Sequence, residues 1–386
     1  MAKILVVGAG LSGAVLAQQL AAHTDHKIII VDERPHVAGN CHTARHPPTG
    51  IMTHVYGPHI FNTSDLQIWQ YIKQFGQFAN YVNRVKAVTE LGVFSLPINL
   101  LTINQLFKTT FNPREAQAFI HAQADASIDD PSNFEEQALK SVGPLIYEAF
   151  FRDYTIKQWG CDPKELPASI LKRLPIRFNY DDRYYSNKYQ GIPIEGYTVI
   201  VERMLADPNI VVRLSERYDP SWNLEFDYVF YSGPIDAYFS YREGRLGYRS
   251  LIFQQEIYAG SDYQGNAVLN YCQGSIPYTR VHEHAHFTPW ETHRSSVYYH
   301  EFSKETEPTD TPFYPKRLRA DKVLLTKYRA LGALEKNVSF LGRLGTYRYL
   351  DMQHVVKDSI SAAMAFARST PPWDRFPAFL NTEAEE

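Results

Sequence analysis

Lys3-Ile4-Leu5-Val6-Val7-Gly8-Ala9-Gly10-Leu11-Ser12-Gly13 is a β-rich apolar run broken at once by three glycines. Leu11, Val15, Leu16 and Leu20 then repeat at helical spacing, and Lys27 to Val31 reads as a second buried strand ended by Asp32. Gly8, Gly10 and Gly13 form GxGxxG between strand and helix. The first glycine permits a tight turn, the second lets the backbone approach a pyrophosphate, and the third allows close helix–strand packing. The helix N-terminus adds partial positive charge. Asp32 stands where an acid accepts hydrogen bonds from ribose hydroxyls. GxGxxG alone is weak; strand, helix, second strand and terminal acid together specify a Rossmann-like dinucleotide site. Its position at the start of the chain favours FAD over NAD. So does Arg34-Pro35-His36-Val37-Ala38-Gly39-Asn40, a glycine-containing segment of the kind that continues over FAD. Seen alone, Gly39-Asn40 would be an ordinary turn.

The 386 residues can bury a sizeable core in two or three domains. A formal net charge of -3 argues against a general nucleic-acid binder. The 26 tyrosines serve either a packed core or aromatic surface for flat ligands. Cys41, Cys161 and Cys272 are too scattered for a disulfide framework or a zinc site, which fits a reducing cytoplasm. No run approaches the roughly 18 apolar residues of a membrane span. A soluble cytoplasmic protein without a secretory signal is expected.

Further along, a helical stretch is expected from about residue 78. Asn112-Pro113-Arg114-Glu115 carries an N-cap, an N1 proline and an acid at the positive end of a helix. Ser132-Asn133-Phe134-Glu135 has the form of a capping box, followed by Phe134, Leu139, Val142, Ile146 and Phe150 on one face. Residues 167–185 read as a long loop, and 209–349 as short β runs between turns. A last helix is expected from Asp351 to about Arg368, with Met352, Val355, Val356, Ile360 and Ala363 inward, before a frayed acidic tail at 382–386. His282-Glu283-His284 and His286 crowd together without convincing metal spacing, so no metal is expected.

Several longer motifs carry a family likeness. They are His54-Val55-Tyr56-Gly57-Pro58-His59-Ile60-Phe61, Tyr154-Thr155-Ile156-Lys157-Gln158-Trp159-Gly160 and Leu171-Lys172-Arg173-Leu174-Pro175-Ile176-Arg177. Gln190-Gly191-Ile192-Pro193, Tyr231-Ser232-Gly233-Pro234, Pro277-Tyr278-Thr279-Arg280 and the run from Gly342 to Met352 continue the series. In this order they resemble bacterial UDP-galactopyranose mutases along nearly the whole chain.

The resemblance implies an α/β protein: a Rossmann-like FAD-binding domain with an inserted helical domain and an antiparallel β-sheet substrate domain. The corresponding boundaries are 1–78 for the FAD unit, completed by about 190–250 and 330–368. The helical domain takes 79–166, a mobile loop and sheet 167–330, and a tail 369–386. The family interconverts UDP-galactopyranose and UDP-galactofuranose, supplying galactofuranose for cell-surface polysaccharide, and its bacterial members suggest a homodimer. It needs reduced FAD, whose N5 attacks the anomeric carbon, with no net redox change in the sugar.

By the same resemblance, Arg173 and Arg280 face the diphosphate, with Arg173 on the closing loop. Charge grows on the leaving diphosphate as the glycosidic bond breaks, and arginine's planar fork suits two oxygens. Tyr184, Tyr314 and Tyr349 match tyrosines that hydrogen-bond the diphosphate. Phe150, Phe151, Tyr154, Thr155 and Trp159 match the uridine-side wall, although Phe150 and Phe151 also suit a helix core. Asn83 and Asn270 match further pocket positions, and His59 lies beside the flavin with its proton role open. Gly8, Gly10, Gly13, Asp32, Glu33, Gly39, Asn40, His59, Arg343, Tyr349, Asp351 and Met352 fall to the cofactor, the positive end of the last helix favouring anionic reduced flavin. Two positions depart from the pattern: Asn62 stands where bacterial relatives commonly have histidine, and Ala38 where they have glycine. Asn62 leaves the exact sugar open among UDP-galactose, UDP-GalNAc and dTDP-fucose types. An FAD oxidoreductase and a non-catalytic nucleotide-sugar or flavin binder share the cradle but leave Arg173, Arg280 and the tyrosines unexplained.

Overall fold

The computed structural model describes residues 1–173 and 176–380, with the side chains of Lys172 and Arg173 left undescribed. Arg173 therefore lies, as a site residue, outside the described residues, as does the acidic tail.

A five-stranded parallel sheet forms the base, in the order Ile210–Leu214, Lys27–Asp32, Lys3–Val7, Tyr228–Tyr231, Val338–Phe340. Its strands read as continuous apolar runs because both faces are covered. Ile4, Val6, Ile28, Ile30 and Phe230 pack on one side with the helices Leu11–His23 and Met352–Ala367. Leu5, Val7, Ile29, Val31, Val229 and Phe340 pack on the other with Tyr328 and Tyr347. The last helix starts where the sequence places it, with Asp351 as N-cap; Val355, Val356 and Ala363 are buried, and Met352 and Ile360 partly so.

Over this unit stands a seven-stranded sheet, ordered Tyr314–Pro315, Tyr248–Tyr258, Ser296–Glu305, Arg280–Glu283, Val268–Tyr271, Val85–Thr89, Gly92–Leu96. Its pairings are antiparallel except between Val268–Tyr271 and Val85–Thr89. Here the expected helical start near 78 is corrected. Phe78–Asn80 joins a three-stranded sheet, and Val85, Ala87 and Thr89 turn inward with the period of two that makes a strand. The helices begin at Leu100–Phe107 and continue through Pro113–Gln123, Phe134–Ile146 and Asp153–Trp159.

Asn112 is the N-cap as expected, and it forms a reciprocal cap with Glu115 as well. The second cap is shifted by one residue: Asn133 caps Glu136, whose carboxylate accepts from the Ser132 N–H at 2.8 Å. Gly143 kinks this helix, and a π-helical turn over Tyr147–Arg152 leads into Asp153–Trp159. Residues 167–185 contain a 3-10 helix, Ala168–Arg173, where only loop was expected. In the region expected to be β-rich, Arg319–Gly332 is a helix; only Asp321, Tyr328 and Gly332 are buried on it, so its apolar period is faint. No helix among the described residues is long and apolar enough to cross a membrane.

Candidate active site

Each cradle glycine has a different reason to lack a side chain. A Cβ on Gly8, at φ +101°, would fall 2.2 Å from Ser232 Oγ, and one on Gly13 would fall 2.0 Å from the Gly8 carbonyl oxygen. A Cβ on Gly10 meets nothing nearer than Gly39 Cα at 3.7 Å, so the protein itself leaves room there. That free space above the N-terminus of Leu11–His23 fits a diphosphate. Asp32 Oδ2 accepts from the Ala9 N–H at 2.8 Å and Oδ1 from the Arg34 N–H at 2.9 Å. The acid thus closes the loop with some of its lone pairs, leaving others for a ribose. Ala38 adopts φ +73°, a left-handed conformation that glycine adopts without strain.

Arg34 donates to Asn40 Oδ1 at 2.9 Å and lies 4.6 Å over the Tyr56 ring, while its buried Nη1 has no partner among the described residues. That orphan cation beside the cradle was not singled out from the sequence. Its signal was its place two residues after Asp32. Glu33 points outward, 3.9 Å from Arg217. Met352, at the start of the last helix, places its sulfur 3.7 Å from the Cys41 thiol, so the Gly39–Cys41 turn and that helix N-terminus meet beside the cradle. His59 Nδ1 pairs with the Gly57 carbonyl at 2.8 Å, and the backbone N–H of His59 donates to His54 Nδ1 at 3.2 Å. Burial, reinforced by Arg343, lowers the His59 pKa to about 4, so its ring is neutral near pH 7.

The second half of the site lies on the large sheet. Arg280 and Glu301 are cross-strand partners. Arg280 Nε stands 3.2 Å from Glu301 Oε1 and donates to the Tyr154 hydroxyl at 3.1 Å. Glu301 is 1% exposed and also accepts from Thr279 Oγ1 at 3.2 Å. Burial opposes the Arg280 charge, but Glu301 and the phenols of Tyr154, Tyr314 and Tyr184 outweigh it and hold the pKa above the usual arginine range. Burial raises the Glu301 pKa, and Arg280 pulls it back. Among the described residues only Nε of Arg280 is engaged, so its two terminal nitrogens are available to an anion.

Tyr314 and Tyr349 stack at 5.5 Å and 14°, with the Arg343 guanidinium 5.5 Å from one ring and 5.1 Å from the other. Arg343 also donates to the carbonyls of Phe313 and Leu350, fixing both tyrosine-bearing segments. Tyr184 feels Arg280, Tyr349 and Asp351, which places it in the same cluster. Its N–H donates to the Asn83 carbonyl at 2.8 Å, and the buried Asn83 Oδ1 has no partner among the described residues. Asn270 is paired in register with Arg280. Phe151, Thr155 and Trp159 are buried near Tyr154, whereas Phe150 packs edge-on against Phe94 at 5.3 Å in the helical core. Asn62 spends its side chain inside the protein, donating to the Ile60 carbonyl and accepting from Asn187.

Away from this cluster, Asp262, Glu283 and His286 bring three ligand-type atoms together. Glu283 accepts from the N–H groups of Tyr263 and Gln264 and from Ser296 Oγ, so its oxygens already hold a loop to the sheet.

The pattern described as "UDP-galactopyranose mutase" matches residues 149–349, the stretch bearing Tyr154, Arg280, Tyr314 and Tyr349. A "Probable UDP-galactopyranose mutase" of Klebsiella pneumoniae is 50% identical over 377 residues, 98% of either chain. The chain belongs to the UDP-galactopyranose mutase family. It is an enzyme, an isomerase of that family. Residues 6–75 match an NAD(P)-binding Rossmann-like domain, in agreement with the parallel sheet. A dTDP-fucopyranose mutase of Escherichia coli is 45% identical over 375 residues, 96% of this chain and 99% of that one. In fold, the chain is similar to a crystal structure of a reduced UDP-galactopyranose mutase, with TM-score 0.76 at 15% identity over 96% of this chain and 97% of that one. A putrescine oxidase with putrescine bound shares the fold at TM-score 0.57 and 12% identity, over 95% of this chain and 99% of that one.

Proposed function

We propose that this mutase holds FAD in the Gly8–Gly13 cradle and interconverts UDP-galactopyranose with UDP-galactofuranose. The observation that carries this reading is Arg280, part-buried against Glu301, with only its Nε engaged among the described residues and with the phenols of Tyr154, Tyr184 and Tyr314 close enough to act on its charge. Such a constellation suits a leaving diphosphate, because fixed donors stabilise charge as it develops. Reduced FAD supplies the nucleophile, N5, for the anomeric carbon and undergoes no net oxidation over the cycle.

The protein groups have separate tasks. Gly10, the N-terminus of Leu11–His23 and the unpaired Arg34 Nη1 bind the cofactor diphosphate. The N-terminus of Met352–Ala367, beside the Gly39–Cys41 turn, offers partial positive charge to anionic reduced flavin. Arg280 and the phenols hold the UDP diphosphate, and burial pushes the pKa of Tyr154, Tyr184 and Tyr314 further above the ordinary phenol range, which suits them as donors. Asn83 Oδ1 and Asn270 supply amide contacts to the same ligand, and Thr155 and Trp159 close its nucleoside end. Arg173 is assigned to the diphosphate by family resemblance.

A second substrate reading, a dTDP-sugar, is favoured by the 45% identical dTDP-fucopyranose mutase. A panel of UDP- and dTDP-pyranoses presented to dithionite-reduced protein decides between them. UDP-galactopyranose is expected to turn over fastest; faster conversion of dTDP-fucopyranose would reassign the substrate. Arg280→Ala should cut turnover on the preferred sugar about 100- to 1000-fold. Near-normal turnover would remove the diphosphate assignment.

A further inference from the structure

Lys157 projects from the same helix as Tyr154, three residues on and therefore on the same face. Four backbone carbonyls lie within hydrogen-bond reach of its ammonium and share its three N–H groups: Tyr271 at 2.7 Å, Gln273 at 2.8 Å, Ile276 at 2.9 Å and Tyr278 at 3.1 Å. These carbonyls flank or belong to one turn, which leaves the Val268–Tyr271 strand after Tyr271 and enters the Arg280–Glu283 strand at Arg280. The turn wraps a single cation. At the same helix, a Cβ on Gly274 would come 2.7 Å from Asp153 Oδ2, so turn and helix also meet closely there.

We propose that Lys157 is a positioning residue: it fixes the 271–279 turn to the helix bearing Tyr154, and so fixes the aim of Arg280. The proposal rests on the assignment of Arg280 to the leaving diphosphate. Two links tie the helix to this strand pair, Lys157 to the turn carbonyls and Tyr154 to Arg280 Nε. Sheet pairing holds Arg280 itself, and the bonds from Tyr271 N–H to the Thr279 carbonyl, Cys272 N–H to the Val88 carbonyl and Thr279 N–H to the Glu301 carbonyl hold the two ends of the turn. Between those ends, the carbonyls of Gln273, Ile276 and Tyr278 converge on Lys157. Without the ammonium they would have to find water or turn outward, and the turn would shift. Glu301 would still neutralise Arg280, so charge at the site would survive while its direction would not.

Arginine cannot substitute easily, because its planar fork does not match four carbonyls converging on a point. Misplacement of a catalytic group by about 1 Å costs about 100-fold in rate. Lys157→Met, which keeps the aliphatic stem, should therefore lower kcat about 10- to 100-fold while KM changes by less than about threefold. FAD content and melting temperature should stay near those of the parent holoenzyme.

The test compares Lys157→Met, Arg280→Lys and the double variant on the reduced holoenzyme. If the lysine acts through Arg280, its removal from the Arg280→Lys enzyme should cost much less than its removal from the parent. Full multiplicativity of the two losses would overturn the proposal, as would a parent-like kcat in Lys157→Met. Should Lys157→Met fail to hold FAD, Lys157→Ala assayed with added ethylammonium chloride replaces it. Recovery of kcat with ethylammonium, and not with tetramethylammonium at equal ionic strength, supports the cage; equal response to both overturns it. A normal rate for Arg280→Ala would instead sink the diphosphate reading, whatever Lys157 does.

Discussion

Arg280 and Glu301 face each other across adjacent strands, Nε to Oε1 at 3.2 Å, with the carboxylate 1% exposed. The pair neutralises Arg280 and engages its Nε, while its terminal nitrogens have no partner among the described residues. A buried ion pair contributes little net stability, but removing one partner exposes the cost of the other. Glu301→Gln keeps the shape and removes the charge. It should reduce kcat by about 10- to 100-fold, with FAD retained. Steady-state rates on reduced enzyme and the flavin spectrum check both halves; unchanged kcat would mean that Arg280 needs no such support.

The cradle yields a contrast between two glycines. Gly10→Ala has room within the protein and should fold normally, yet its methyl occupies the space assigned to the cofactor diphosphate. Gly13→Ala drives a methyl to 2.0 Å from the Gly8 carbonyl oxygen and should itself destabilise the fold, by about 1–3 kcal/mol. Melting of the flavin-free proteins and FAD titration separate the two effects. Tight FAD binding by Gly10→Ala would show that the diphosphate lies elsewhere.

Ala38 sits at φ +73° and is 1% exposed. A non-glycine residue in this region costs about 1 kcal/mol or more. Ala38→Gly should therefore raise the melting temperature slightly with no loss of FAD. A clear fall in melting temperature would mean that the Ala38 methyl packs more favourably than the strain costs.

Burial, the first cause in each case, lowers the pKa of seven histidines, His26 and His46 among them. His54 and His282 fall well below the usual value, His42 and His59 to about 4, and His284 to about 3. Below about pH 6.5 the unfolded chain binds protons that the folded chain refuses, so folding stability falls as pH drops from about 6.5 towards 4. Each fully buried ring contributes up to about 1.4 kcal/mol per pH unit in that window. The melting temperature should decline already between pH 6.5 and 5. A flat profile there would contradict neutral buried rings.

Much of this was legible in the sequence because it depends on local chemistry. The glycine spacing, the Asn112 cap and the last helix beginning at Asp351 are each set by a few neighbouring residues. Arg280 and the tyrosines came from resemblance along the chain, and the structure brings them into one cluster. What escaped notice depends on register or on backbone atoms. Glu301 matters because it pairs across the sheet with Arg280, and Lys157 because it meets carbonyls of a distant turn, neither of which has a signature in spacing. Of the residues that Arg319–Gly332 buries, Asp321, Tyr328 and Gly332, one is a large apolar side chain, so little separates this helix in sequence from the short β runs around it. The short alternating runs of residues 85–96 lie directly before a helical stretch, which masks them as strands.

The proposed reaction uses a reduced flavin in the Gly8–Gly13 cradle with no net redox change in the sugar. Its most direct test is anaerobic turnover of UDP-galactopyranose by the FAD-loaded protein, before and after dithionite reduction. Product is followed by chromatography and the flavin by its absorbance. The predicted result is furanose formation by the reduced enzyme alone, over many turnovers, with the flavin still reduced at the end. Equal turnover by the fully oxidised enzyme, or oxidation of one flavin for each sugar converted, would contradict it.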